Sequence, residues 1–259
     1  MKSLRILLVN EKGCFDPGIV ALAKVLSARH RVVIAAPVFA QDGSGHALTT
    51  SRPLRHQQYF VLNKVKIFGV TGTPCDAVGL ALDKLLLTPP DLVISGIDSH
   101  TNMGEHVYSS GNVSAAIAGT LHGVKSIAIS AHIMDPKDER EYLNIARAFN
   151  KKLDFFIKNI PADTTLNINY PKNFRTTKKI MCAPLTTQMT DNTYTHEVSP
   201  YGREFYWMVN PAKSHTVECL CQHGDIYWVK NGFVTVTPLK YNLTSDDGIA
   251  TVESANLAL

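Results

Sequence analysis

Five short apolar runs limit the folds open to this 259-residue chain more than any other feature. Between some of these runs, apolar residues recur at the spacing of an α-helix. Strands that are apolar at every position are covered on both faces, which is typical of parallel sheets with right-handed β–α–β crossovers. The runs begin at Arg5, Arg31, Lys66, Asp91 and Ser126, and a sixth strand is expected at 165–170. Helical spacing occurs at 17–29, 74–87, 111–123 and about 138–159. The sequence therefore predicts an α/β fold with a doubly wound, mostly parallel, Rossmann-like sheet.

The chain changes character after about residue 172, where alternating runs replace continuous apolar ones. Asn231-Gly232 is a strong two-residue turn signal, and it predicts a β-hairpin across residues 225–238. We therefore divide the chain into an α/β core at 1–171 and a β-hairpin-rich appendage at 172–259. The aromatic residues of the appendage suit an interface between subunits, or else they cap the core of the sheet: Phe205, Tyr206, Trp207, Tyr227 and Trp228.

Composition excludes several classes of protein. A hydrophobic fraction of 45%, a charged fraction of 19% and a net charge of +4 describe an ordinary globular protein without the basic surface of a nucleic-acid binder. No apolar run reaches about 18 residues, so no membrane span is expected. The five cysteines form no disulfide framework, and Cys219-x-Cys221 is interpreted as two strand residues on one face. We expect a cytoplasmic protein.

Polar and glycine-rich segments follow four consecutive predicted strands. Ligands of doubly wound sheets bind outside the carboxyl ends of the strands, where side chains and helix N-termini converge. We therefore expect the site to be formed by residues 10–13, 41–45, 72–76 and 95–102. The glycines of these segments, with helix starts near Pro74 and Gly111, indicate a cradle for a phosphate or another oxyanion. Glu11, Asp42 and Asp98 are hard oxygen ligands that suit Mg²⁺ or Mn²⁺.

Motifs in order along nearly the whole chain carry a family resemblance. They are Asn10 to Gly13 with Pro17-Gly18-Ile19, Gln41-Asp42-Gly43-x-Gly45, Pro53-Leu54-Arg55, Gly72-Thr73-Pro74-x-Asp76, Ser95-Gly96-Ile97-Asp98, Ser110-Gly111-x-Val113, Asn167-x-Asn169-x-Pro171, Pro200-Tyr201-Gly202-Arg203 and Thr237-Pro238-Leu239. This series resembles the SurE survival proteins, which are metal-dependent nucleoside monophosphate phosphatases.

The resemblance implies a nucleoside monophosphate or other phosphomonoester as substrate, a divalent metal, and a dimer or tetramer built through the C-terminal region. It implies metal ligands at Glu11, Asp42 and Asp98, with Lys12 at the fourth family position, and catalytic roles for Glu11, Lys12 and Asn102. The residues that the resemblance assigns to the substrate and its phosphate are Asn10, Gly43, Ser44, Gly45, His100, Asn102, Ser110, Gly111 and Asn112.

The departures from the family lie at the expected metal site, where the family has two adjacent aspartates, a serine and an asparagine. This chain has Glu11, Lys12, Asp42 and Asp98 there, and one former carboxylate has become a cation. Two hypotheses follow. In the first, the chain is a working metal-dependent phosphatase.

In the second, the chain is a metal-free, weakened or inactive member of the family. Lys12 then pairs with Glu11, Asp42 or Asp98 in place of the metal, and the protein binds a nucleotide or another anion or acts as an assembly subunit. A third hypothesis, a dinucleotide-binding oxidoreductase, lacks its sequence signature, because the first strand is not followed by Gly-x-Gly-x-x-Gly and the chain has no phosphate-binding P-loop.

Overall fold

The computed structural model describes residues 2–62, 65–172, 174, 179–187, 193–209 and 223–254. The strands within these ranges are β1 (Arg5–Val9), β2 (Arg31–Pro37), β3 (His56–Val61), β4 (Val65–Val70), β5 (Leu92–Asp98), β6 (Ser126–Ala131), β7 (Thr164–Tyr170), β8 (Ile180–Cys182), β9 (Thr193–Val198), β10 (Glu204–Val209) and β11 (Val234–Lys240).

The helices within the same ranges are α1 (Pro17–Leu26), α2 (Pro74–Leu80), α3 (His106–Ser109), α4 (Gly111–Leu121), α5 (Glu139–Asn150), α6 (Leu153–Lys158), α7 (Asp225–Lys230) and α8 (Asp246–Ser254). A π-helical turn, Ala81–Leu85, extends α2. None of the helices that the structure describes is both long and apolar enough to cross a membrane.

A nine-stranded sheet in the order β3-β4-β2-β1-β5-β6-β7-β11-β8 forms the centre of the molecule. Strands β4, β2, β1, β5, β6 and β7 are parallel to their neighbours in this series, whereas β3 and β11 run antiparallel to β4 and β7. The predicted doubly wound, mostly parallel sheet is confirmed.

The central strands are buried on both faces, which explains their continuous apolar sequences. Ile6 and Leu8 of β1 contribute to the core shared with α1, α5 and α6, whereas Leu7 and Val9 contribute to the core shared with α2 and α4. Every residue of β5, β6 and β7 is buried. Because successive side chains of a strand point to opposite faces, two neighbouring apolar residues pack against the two different layers of helices.

The order of the strands places a switch point between β1 and β5. From β1 the chain proceeds outward to β2 and β4, and it then returns to build β5, β6 and β7 on the other side. In the parallel pairing of β1 with β5, Val9 lies opposite Ser95. The residues that follow Val9 therefore leave the sheet beside the end of β5, and their side chains meet there.

Three local predictions need correction. The segment about 138–159 forms two helices, α5 and α6, rather than one. Strand β3 was not predicted, since it lies at the sheet edge and its residues are partly or fully exposed. The predicted hairpin at residues 225–238 is wrong, because residues 225–230 form α7. Asn231 caps this helix, and Gly232 follows with a φ of +82°. An Asn-Gly pair supplies left-handed backbone to a helix end as readily as to a hairpin.

The region after residue 171 contributes to two sheets. Strands β8 and β11 join the main sheet, whereas β9 and β10 pair with each other in a separate antiparallel ribbon. The division of the chain at residue 171 stays a prediction. Cys219 and Cys221 lie outside the described residues, while Cys14 and Cys75 are free and buried.

The side chain of Asp225 ties the C-terminal region to the loop that follows β5. Asp225 is fully buried and accepts hydrogen bonds from the backbone N–H groups of Gly104 and Thr186, both at 2.9 Å. Gly104 has a φ of +52°, and a Cβ atom there would lie 2.7 Å from the carbonyl oxygen of Thr186. One buried carboxylate thus holds two loops that are far apart in the sequence.

Asp76 joins the start of α2 to the loop after β2. Thr73 and Asp76 form a capping box, in which the Thr73 N–H donates to Asp76 Oδ2 at 2.8 Å and the Asp76 N–H donates to Thr73 Oγ1 at 3.1 Å. The Thr49 N–H also donates to Asp76 Oδ1 at 3.0 Å. Burial opposes ionisation of Asp76, but these hydrogen bonds outweigh it and hold the pKa of Asp76 below its ordinary value.

We expect Asp76→Asn to lower the free energy of unfolding at pH 7 by about 2 kcal/mol, because the amide cannot accept from all of these N–H groups. A lowered folded-state pKa stabilises the protein above the unfolded value of about 4, and this stability is lost as pH falls through the folded pKa. The difference between the two proteins should therefore shrink below about pH 4. Urea titrations across pH measure it. Asp83→Asn, at a side chain that is 66% exposed, is the control.

We expect Asp225→Asn to destabilise the protein by about 1–3 kcal/mol, because one end of the new amide would point an N–H group at a backbone N–H group. Urea unfolding measures this loss, with Asp246→Asn in the exposed first turn of α8 as the control. Equal stabilities of Asp225→Asn and Asp246→Asn would show that the two buried hydrogen bonds do not contribute.

Candidate functional site

The structure brings three of the four predicted segments together at the switch point. Lys12, just after β1, places its ammonium nitrogen 2.6 Å from Asp42 Oδ1 and 3.8 Å from Asp98 Oδ1. The Lys12 side chain is 18% exposed and that of Asp98 only 3%, whereas that of Asp42 is 59% exposed. Burial favours the neutral amine, but the charges of Asp98 and Asp42 outweigh it and raise the pKa of Lys12. Lys12 is therefore a cation enclosed by carboxylates.

Glu11 is the third carboxyl group of the site, and it points to the start of α4. Its Oε2 atom accepts a hydrogen bond of 2.8 Å from the Gly111 N–H, where a helix N-terminus favours a negative or polar partner. A Cβ atom at position 111 would lie 3.0 Å from Glu11 Oε2 and 2.5 Å from Ser44 Oγ, so a larger residue would displace these side chains. Burial, together with the neighbouring Asp98 charge, raises the pKa of Glu11 well above its ordinary value. The protonated form of Glu11 is therefore favoured at this position.

Asp98 is the ionised partner of this pair. Burial alone would raise its pKa, but hydrogen bonds from His100 and Glu11 and the charge of Lys12 hold the pKa below its ordinary value. The backbone N–H of His100 donates to Asp98 Oδ1 at 3.1 Å, and the His100 side chain is 76% exposed. The imidazole Nδ1 lies 3.9 Å from Asp98 Oδ1, and this interaction with the carboxylate raises the pKa of His100.

The side chain of Asn102 holds Asp98 in place by hydrogen bonding. Its amide nitrogen donates to Asp98 Oδ2 at 2.7 Å and to Ser130 Oγ at 2.8 Å. The backbone carbonyl of Asn102 accepts from the side chains of Asn167 and Asn169, at 2.7 and 3.0 Å. Asn102 is buried, and its bonds to Ser130, Asn167 and Asn169 hold the loop after β5 against β6 and β7.

Two polar atoms near Glu11 have no hydrogen-bond partner among the described residues. Ser44 Oγ is buried in the loop after β2, close to Gly111, and Asn10 Nδ2 is buried at the end of β1. The other end of the Asn10 amide accepts from the Gly13 N–H at 3.0 Å. Ser110 caps α4 by accepting from the Val113 N–H at 3.1 Å, and Gly43 adjoins open space.

Asn112 and residues 72–76 hold neighbouring parts of the fold. Asn112 is fully buried, and its amide bonds to Ser95 Oγ at 2.6 Å and to the Ile129 carbonyl at 3.1 Å. Its contact with substrate stays a prediction. Residues 72–76 hold the 45–49 loop, since Thr73 Oγ1 donates to the Ala47 carbonyl at 2.7 Å. This segment shapes the site without entering it.

No role was predicted for three polar residues that bond to Asn102, namely Ser130, Asn167 and Asn169. A signal was present, because two asparagines two positions apart in an otherwise apolar strand share one face. A buried amide requires a hydrogen-bond partner, and the side chains of Asn167 and Asn169 both donate to the backbone carbonyl of Asn102.

The residues as they lie do not fit the Mg²⁺ or Mn²⁺ ion expected from the sequence. No group of three His, Cys, Asp or Glu side chains is arranged to hold a metal ion in the part of the chain that the structure describes. The ammonium of Lys12 lies between Asp42 and Asp98, and Glu11 is bonded to Gly111. A divalent ion about 4 Å from that ammonium would be repelled by about 8 kcal/mol at an effective dielectric constant of 20.

Comparison with known proteins gives a consistent result over the full chain. The family model described as "Survival protein SurE" matches residues 6–196. A protein named 5′-nucleotidase SurE from Carboxydothermus hydrogenoformans is 37% identical over 247 residues, covering 93% of this chain and 92% of that one. Another protein named 5′-nucleotidase SurE, from Thermoanaerobacter sp. (strain X514), is 32% identical over 257 residues, covering 99% of this chain and 100% of that one.

The crystal structure of the SurE protein from Aquifex aeolicus superimposes with a TM-score of 0.78 at 33% identity, covering 97% of this chain and 99% of that one. Similarity of sequence and of fold thus extends together over nearly the whole molecule. The chain belongs to the SurE family.

Proposed function

We propose that this chain is a phosphomonoester hydrolase that releases phosphate from nucleoside monophosphates. The proposal is carried by the full-length similarity to relatives named 5′-nucleotidase. The position of the charged cluster is consistent with it, because Lys12, Glu11 and Asp98 meet at the switch point where doubly wound sheets bind ligands.

Lys12, Ser44 and the first turn of α4 are the groups that we assign to the substrate phosphate. The ammonium of Lys12 is a point charge with N–H donors, and the Ser44 hydroxyl lies beside Gly111 without a partner in the described structure. A helix N-terminus attracts anions. Gly43, Gly45 and His100 line the same entrance, and their contacts with substrate are part of the proposal.

In the reaction, the oxygen of a water molecule attacks phosphorus while the bond from phosphorus to the ester oxygen breaks. Burial raises the pKa of Glu11 and favours its protonated form, and we assign it to protonate the leaving oxygen. A proton of the attacking water then restores Glu11, and the products are a nucleoside and inorganic phosphate. Since phosphoryl transfer depends mainly on positioning and electrostatics, Asn102 contributes by fixing Asp98 and, through it, Glu11.

We also propose that the protein self-associates through the β9–β10 ribbon. An isolated two-stranded ribbon is marginally stable in water, and this one exposes large apolar side chains. Tyr206 and Trp207 are 61% and 64% exposed. Tyr227 and Trp228, also predicted for the interface, lie on α7, where Trp228 packs on Phe233 with ring centroids 5.2 Å apart.

The purified protein should release phosphate from nucleoside monophosphates, and Glu11→Gln should lower kcat by about 10²–10⁴-fold through loss of the proton donor. Phosphate release is measured with a panel of nucleoside monophosphates, with Mg²⁺, with Mn²⁺ and with a chelator. Glu139→Gln, in the exposed first turn of α5, is the matched control. Equal kcat values for Glu11→Gln and Glu139→Gln would remove Glu11 from the mechanism, and inactivity on every substrate would refute the proposed function.

Light scattering coupled to gel filtration should give a dimer or tetramer at micromolar concentration. The double variant Tyr206→Ser with Trp207→Ser should shift the protein toward the monomer, because it removes apolar area from the ribbon. Tyr108→Ser, at a side chain that is also exposed but lies on α3, should leave the mass unchanged. A wild-type protein of monomer mass would contradict the proposal.

A further inference from the structure

The ammonium of Lys12 lies where a metal ion is expected from the sequence. It is within 4 Å of one oxygen each from Asp42 and Asp98, two residues that come from different strand ends. The side chain is mostly enclosed, so its charge is directed at these carboxylates rather than at solvent. The site already contains a cation that belongs to the chain.

The remaining carboxyl group does not complete a ligand set. Glu11 Oε2 is engaged by the Gly111 N–H at 2.8 Å, at the start of α4. A second cation brought between Asp42 and Asp98 would face the ammonium of Lys12 as a like charge at short range. Binding of a divalent ion would therefore require the lysine to leave its two partners.

Two polar groups without a partner among the described residues belong to the segments that also carry Lys12 and Asp42. Asn10 Nδ2 is fully buried and, among the described residues, without a partner, and it can only donate. The Ser44 hydroxyl, also unpartnered there, adjoins Gly111. The Asn10 N–H donor, the Ser44 hydroxyl and the Lys12 ammonium are the kinds of group that bind the oxygen atoms of a phosphate ester.

We propose that Lys12 is the resident cation of this site and that the chain binds and hydrolyses its phosphomonoester without a divalent metal ion. This inference rests on the proposed function. Asp42 is the exposed partner of Lys12 and sits next to Gly43, in open space. Its carboxylate is then a competitor of the substrate phosphate for the ammonium, rather than a metal ligand.

The test compares the wild type with Lys12→Asp, after removal of metals with a chelator. Two measurements are made: hydrolysis of a nucleoside monophosphate in the chelator, and the melting temperature as a function of added Mn²⁺. The wild type should keep its activity in the chelator and show no Mn²⁺-dependent rise in Tm. Lys12→Asp should lose that activity and gain a rise in Tm, since ligand binding to the folded state stabilises it. Lys24→Asp, on the exposed face of α1, controls for the change of charge.

A second variant, Asp42→Asn, separates the two roles of that residue. If its carboxylate competes with phosphate, KM falls by at least about twofold in the chelator, and chelator-resistant activity persists. If it is a metal ligand, activity is lost or becomes dependent on high Mn²⁺ concentration.

The outcomes distinguish the two proposals. Wild-type hydrolysis that requires Mn²⁺, together with a Mn²⁺-dependent rise in Tm, would overturn the assignment of Lys12 and leave the proposed function intact. A wild type inactive on every nucleotide, with and without metal, would refute the proposed function and with it metal-free hydrolysis. The melting data alone would then decide whether Lys12 excludes the metal.

Discussion

The parallel pairing of β1 with β5 at the middle of the sheet is the constraint on which the site depends. Because Val9 lies opposite Ser95, the residues that leave β1 must pass the end of β5. The buried Asp98 and the enclosed Lys12 meet for this reason, and the loop after β2 reaches them with Asp42. The apolar runs that stabilise the sheet thus also determine which charged groups become neighbours.

Charge balance explains why such a buried cluster persists. Isolated ionised groups are costly in a protein interior, and pairing or protonation reduces that cost. Both are favoured here, since Lys12 lies between two carboxylates and burial raises the pKa of Glu11. The side-chain amide of Asn102 donates a hydrogen bond to Asp98 Oδ2, so the second oxygen of that carboxylate also has a donor.

The architecture could be predicted because continuous apolar runs and glycine-rich strand ends are local signals. The same local reasoning failed at Asn231-Gly232, where the pair ends a helix instead of turning a hairpin. It missed β3, whose exposed edge position leaves little apolar pattern. The sequence also indicated that Lys12, Asp42 and Asp98 would meet at one edge of the sheet, as they do. It could not reveal that Glu11 points to Gly111, which is 100 positions away, because that contact is set by the placement of α4 on the sheet.

The hydrogen bond between Gly104 and Asp225 joins residues that are synthesised at very different times. In the loop after β5, the Gly104 N–H donates a hydrogen bond to Asp225, which lies 121 positions further along the chain. A nascent chain that has emerged only as far as β7 has the central strands of the sheet, but its Gly104 N–H still lacks this buried carboxylate. The site loop therefore gains this hydrogen bond only after α7 has been synthesised.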